Sequence, residues 1–263
     1  MFFSNRKTPE EKQWDALRKS EVRFLEKQKE SNASFINEKL DKVVPEKLQN
    51  TLDLAFYKAF QMVFLKGTGM IEKTYQKDKR EFTYKMNAYA VELKKSGKTM
   101  NAFNKHAQSA NLKNLMVSGV EGIGTGLLGI GIPDIPLFAA LILKSIYEIA
   151  LSYGYSYESK EEQVFILKLI YTSLDHGDDL YRGNDTIDRW IEDGLRQTEK
   201  EKLLKLTAYR LSEEMLYMKF IQGIPIVGVV GGISDSVYLK RITDYAQLKY
   251  KRRFLTDREK KKD

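Results

Sequence analysis

The chain contains no cysteine. That removes disulfide scaffolds, thiolate zinc sites, iron–sulfur clusters and cysteine nucleophiles. Histidine is almost as scarce. Only His106 and His176 are present, which leaves little for a Ser-His-Asp triad or a His-rich metal centre. Five prolines in 263 residues are too few to break up long helices. The first residues, Met1-Phe2-Phe3-Ser4-Asn5-Arg6-Lys7, turn charged before an apolar run develops, so no cleaved leader is expected. The expected location is the cytoplasm, with attachment to the inner face of the cell membrane left open.

Hydrophobic residues make up 42% of the chain and charged residues 30%, a composition that supports a packed core. Charge is unevenly spread. Residues 1–113 hold 23 Lys and Arg against 14 Asp and Glu, residues 114–248 hold 13 against 19, and residues 249–263 hold 8 against 3. Basic ends around an acidic middle suit an anionic membrane, nucleic acid or an acidic protein.

Apolar residues recur three and four apart over long stretches. From residue 46 to 71, Leu48, Leu52, Leu54, Ala55, Phe56, Ala59, Phe60, Val63 and Phe64 make a wide helical face. Capping boxes are expected at Thr8/Glu11, where Pro9 occupies the first helical position, and at Ser159/Glu162 and Thr198/Glu201. Helix breaks are expected at Lys95-Ser96-Gly97-Lys98 and at Gly154, and the acidic segment 175–185 reads as a loop or short helix. No run sustains period-two alternation. The expected fold is all-α: an N-terminal helical extension over 1–44, loosely tethered, one multi-helix domain over 45–255, and a basic tail over 256–263.

Ten of the 17 glycines fall in two apolar windows, residues 119–131 and 223–232. Glycine costs about 1 kcal/mol relative to alanine inside a helix, and close backbone approach is the usual compensation. Gly122 and Gly126, and likewise Gly228 and Gly232, are spaced by four and form small-residue stripes. Both windows are expected to pack in or near the core, against each other or a shared neighbour. Pro133 and Pro136 divide the stretch from Asn114 to Leu143 into arms too short to span a bilayer. Asp134, between those prolines, is expected to cap the helix that follows.

Few residues suggest a reaction. His176 lies among Asp175, Asp178 and Asp179, but the spacing of a calcium loop is missing and a solvated acidic turn is the simpler expectation. The glycine windows lack the Lys-Ser/Thr ending of a phosphate loop. No cofactor is expected. Lys249, Lys251, Arg252 and Arg253 form a candidate basic surface for phosphates or an anionic leaflet.

From about Pro45 onward the chain resembles the EcsC protein family. The resemblance is carried by Ala59-Phe60 through Lys66-Gly67-Thr68, by the glycine-rich run into Asp134-Ile135-Pro136, and by the helix from Lys144 to Tyr155. The run from Ile224 to Gly232, with Tyr250 to Leu255, carries the rest. The Ile-Pro-Asp-Ile-Pro helix also resembles the membrane-associated helical domain that follows some bacterial GTPase domains. The resemblance implies a family named for a gene beside an ABC-type exporter, with no established reaction, and residues 1–44 depart from its core. The expected function is that of a non-enzymatic, membrane-peripheral accessory protein. Its expected partners are lipid or an integral membrane protein such as an ABC-type transporter, with no specific nucleic acid. Two alternatives are a helical hydrolase built on the carboxylates Glu121 and Asp134, and a non-specific nucleic-acid binder.

Overall fold

Helix boundaries follow local chemistry closely. The computed structural model describes residues 7–29, 46–64, 72, 76–93, 96–108, 134–194, 199–221 and 233–262, and among these residues nine helices and no strand occur. They are α1 (Pro9–Lys29), α2 (Glu46–Met62), α3 (Lys77–Leu93), α4 (Gly97–Gln108), α5 (Asp134–Ser152), α6 (Lys160–Leu174), α7 (Gly177–Asp193), α8 (Lys200–Ile221) and α9 (Ile233–Lys260). The fold is all-α.

At the start of α1 the capping box is complete. Thr8 Oγ1 accepts from the Glu11 amide at 3.2 Å, and Glu11 Oε2 accepts from the Thr8 amide at 2.7 Å. At α6 only half of it forms. Ser159 accepts from the Glu162 amide at 3.1 Å, while the Glu162 carboxylate turns into the core. Thr198 lies outside the described residues. Gly154 follows α5 with a φ of +87°, a left-handed conformation that glycine adopts at low cost. The Ser96-Gly97 break opens a helix as well as closing one, because Ser96 Oγ accepts from the Thr99 amide at 3.3 Å. Helix α5 begins at Asp134, with Pro136 in its first turn, where a missing amide costs no helical hydrogen bond.

The acidic segment 175–185 is mostly helix rather than loop. It begins α7, whose Leu180, Ile187, Trp190 and Ile191 are buried. A β-carbon on Gly183 would strike Thr172 of α6, so this glycine permits a close helix crossing.

Helices α5 and α6 form the centre. From Phe138 to Leu151, α5 is buried on nearly every side, as expected for a helix without a polar face. It packs against α2, α3, α4 and α9, while α6 packs against α7, α8 and α9. Aromatic pairs fill the space between them: Tyr147 stacks on Tyr157 at 4.0 Å and Phe103 on Phe254 at 4.5 Å between ring centres. The loose tether expected for the N-terminal helix is not observed. Helix α1 packs on α9 and α7, with Leu17 and Glu21 buried. Helix α9 also runs unbroken through residue 255 to Lys260, so the start of the expected tail at 256 is not a structural boundary.

Candidate functional site

Helix α3 has two apolar faces on opposite sides. At 3.6 residues per turn, Arg80, Tyr84, Ala88 and Val91 fall on one side and meet α4 and α5. Phe82, Met86, Tyr89 and Leu93, spaced by four, three and four, fall on the other side. They are 63%, 52%, 57% and 69% exposed. Lys79 and Lys85, both exposed, stand on either side of this stripe, and Asp78 marks its N-terminal end. In sequence, Lys94, Lys95 and Lys98 follow it. A contiguous row of four large apolar side chains in water is uncommon on a monomer and makes this face the candidate contact surface. Sequence reasoning missed this row although its spacing was legible, because opposed apolar faces cancel when a helix is judged by its single best side.

The candidate basic surface at Lys249, Lys251, Arg252 and Arg253 is corrected by the structure. Lys249 is fully buried, 2.6 Å from Asp188 and 3.0 Å from Glu21. Arg252 reaches the same Glu21 at 2.5 Å, and Arg253 lies 2.7 Å from Glu162 and 4.0 Å above the Tyr155 ring. Lys251 is buried, and burial alone holds its amine below the usual lysine range. Lys249, Arg252 and Arg253 thus pair with carboxylates of α1, α6 and α7 instead of facing solvent. The exposed basic residues of this end lie later, at Lys260, Lys261 and Lys262.

Among the described residues, each of the five most buried carboxylates has a cation. Glu21 has Lys249 and Arg252, Glu148 has Arg80, Glu162 has Arg253, Asp175 has Arg210, and Glu214 has Arg241, with His176 beside it. Around the turn between α6 and α7, the solvated acidic turn expected at Asp175 and His176 is overturned. Asp175 is buried, Arg210 approaches its carboxylate at 2.7 Å, and Arg241 donates to its backbone carbonyl at 2.7 Å. Burial pushes the Asp175 carboxyl above the ordinary aspartate value despite Arg210. His176 Nε2 lies 2.9 Å from Glu214. Among the described residues no group of three or more His, Asp or Glu is arranged to hold a metal ion.

The glycine-stripe residues Gly122, Gly126, Gly228 and Gly232 lie outside the described residues, as do Glu121 and Pro133 and the side chain of Asp134. Pro136 is half-buried at the start of α5. No described helix is long and apolar enough to cross a membrane.

The chain belongs to the EcsC protein family, whose model matches residues 11–255. The match begins inside α1, so this helix is part of the family fold rather than a separate extension. Protein EcsC of Bacillus subtilis (strain 168) is 23% identical over 226 residues, covering 84% of this chain and 85% of that protein. The uncharacterized protein YdbA of the same strain is 29% identical over 152 residues, covering 53% of each chain. No solved structure matches.

Proposed function

We propose that this protein is a non-catalytic, membrane-peripheral accessory protein that rests on the inner leaflet through the exposed face of α3. The observation that supports this reading is the row Phe82, Met86, Tyr89 and Leu93 between Lys79 and Lys85. Burying a large apolar side chain is worth about 1.5–3 kcal/mol, and each lysine near an anionic leaflet adds about 1 kcal/mol. Four such side chains are enough for reversible attachment without a spanning helix. Aromatic rings and methionine suit the interface, and flanking lysines extend their charges to the headgroups. Among the described residues, the pairing of each deeply buried carboxylate with a cation supports a structural role for those charges. The partner class is the one implied by the family resemblance, an integral membrane protein such as an ABC-type exporter.

Flotation with vesicles of phosphatidylcholine and phosphatidylglycerol tests the reading. The parent protein should float at low salt, and Phe82→Glu/Leu93→Glu should stay in the soluble fraction while melting within about 0.5 kcal/mol of the parent, as exposed positions do. A parent that never floats, or a double variant that floats equally well, overturns the assignment. If the row instead joins two copies of the chain, the parent would sediment as a dimer and the double variant as a monomer.

A further inference from the structure

Exposed cations of α1 gather in a stripe. Lys12, Ala16, Lys19 and Arg23 are spaced by four, three and four, and all are exposed. At 3.6 residues per turn they share one side of the helix, away from the buried Leu17 and Glu21. Helix α4 carries a second set. Lys98, Asn101 and Lys105 are exposed and spaced by three and four, while Met100 and Phe103 are buried on the other side. The two sets meet, because Gln13 of α1 donates to Asn101 of α4 at 3.0 Å. Gln13 adjoins Lys12 in sequence and Asn101 lies between Lys98 and Lys105 on their face, so five cations surround one helix junction.

Carboxylates are scarce at this junction. Helix α4 contains none. On α1, Glu11 and Asp15 fall on the flank turned away from Gln13, and Glu26 stands at the far end of the stripe, past Arg23. Asp15 is paired with Lys7 and senses Lys19 only as a nearby charge. Among the described residues no carboxylate forms an ion pair with any of the five cations. The contrast with Lys249, Arg252 and Arg253, each of which has a carboxylate, is sharp. Five like charges held on one surface repel one another, and an anionic surface brought against them relieves that repulsion.

We propose that the patch at the junction of α1 and α4 binds the anionic headgroups of a lipid leaflet and gives the protein a preference for charged membranes. The inference rests on the membrane reading above, to which it adds the lipid class. Two observations favour lipid over nucleic acid. The cations are interleaved with Ala16, Asn101 and Ala102, with no exposed aromatic ring on which a base could stack. Helix α4 packs against α3 as well as α1, so a single helix separates the patch from the apolar row. Cations beside an apolar contact are the combination that holds a protein on an anionic leaflet.

The test floats the full chain with phosphatidylcholine vesicles containing rising fractions of phosphatidylglycerol, at low and at high salt. Recovery of the parent should rise with phosphatidylglycerol and fall with salt. Lys12→Gln/Lys19→Gln/Arg23→Gln and Lys98→Gln/Lys105→Gln should each weaken binding to the charged vesicles by about tenfold or more, because every lost cation removes attraction to the leaflet. Neither should change recovery with phosphatidylcholine alone. Lys202→Gln/Lys205→Gln, at exposed positions of α8, removes as much charge as the α4 variant and should bind as the parent does. An equal loss in that control, or patch variants that bind charged vesicles like the parent, overturns the inference. So does neutralisation of the patch that abolishes binding to a DNA duplex and leaves flotation unchanged, which assigns nucleic acid as the partner instead. Phe82→Glu/Leu93→Glu should lower recovery with both kinds of vesicle, whereas the patch variants change only the dependence on phosphatidylglycerol. Failure of the apolar row is therefore separable from failure of the patch.

Discussion

Lys249 of α9 donates to Glu21 of α1 at 3.0 Å, a contact spanning 228 residues of chain, with the lysine fully buried. Asp188 of α7 takes the same ammonium at 2.6 Å. The three helices are thus joined by one buried charge. Removing the lysine leaves Glu21 and Asp188 to Arg252 alone, and the loss should reach at most the about 3–5 kcal/mol of a broken buried pair. Lys249→Ala should shift the denaturant midpoint by up to that amount. A shift within about 0.5 kcal/mol, typical of exposed positions, would show that the contact adds nothing.

Acid should release α1 before it unfolds the rest. Burial raises the Glu21 carboxyl, but hydrogen bonds from Arg252 and the charge of Lys249 outweigh it and hold the group below 4.5. Glu10 behaves alike, with Lys262 and Arg258 overcoming its partial burial. For a carboxyl depressed by folding, the stabilisation is present above the unfolded value and is lost as pH falls through the folded one. Both groups lie on α1 and both pair with α9. Amide exchange of α1 should therefore accelerate below about pH 4.5 while α6 remains protected. Loss of protection in α1 and α6 at the same pH would contradict this order.

Much of this architecture was legible from the chain. Thr8 with Glu11 announced a helix start through two local hydrogen bonds, and Gly154 announced an end through one backbone angle. Those signals act over a few residues. Lys249, Lys251, Arg252 and Arg253 were misread as a surface because nothing within several turns distinguishes a solvated arginine from a buried one. Their partners Glu21, Asp188 and Glu162 come from other helices, and only tertiary packing brings them together. The same limit applies to Asp175, whose neighbours in sequence are acidic and polar but whose neighbours in space are Arg210 of α8 and Arg241 of α9. On α3 the exposed row was readable by spacing, yet which of two apolar faces would find a partner depended on α4 and α5.

Gly154→Ala combines two penalties. A side chain is disfavoured at a φ of +87°, and the new carbon would enter the space of the Tyr84 ring. Overpacking of this kind costs about 1–3 kcal/mol. Tyr84→Ala made in the same background should recover the packing part and leave the backbone part. A double-mutant cycle by thermal melting measures the difference. Strict additivity would mean that the ring and the glycine are independent.

Lys144 presents the opposite case to Lys249. It is buried on α5, and its ammonium has no hydrogen-bond partner. Glu148, one turn later, is held by Arg80 at 2.8 Å. Burial depresses the Lys144 amine below 10.5, Glu148 partly opposes this and Arg80 adds to it. An amine depressed by folding binds fewer protons in the native state than in the unfolded chain. Its cost to stability is therefore present below the folded value and fades as pH rises from there towards 10.5. Lys144→Met keeps the volume of the stem and removes the charge. It should raise stability at neutral pH by about 1 kcal/mol or more, as replacement of buried ionic groups by apolar ones often does. The gap between variant and parent should then narrow as pH rises towards 10.5. Denaturant melts at neutral and at alkaline pH give both numbers. A variant less stable than the parent at neutral pH would mean that the ammonium is stabilised where it lies, and Lys144 would then belong with Lys249 among the charges that hold the core together.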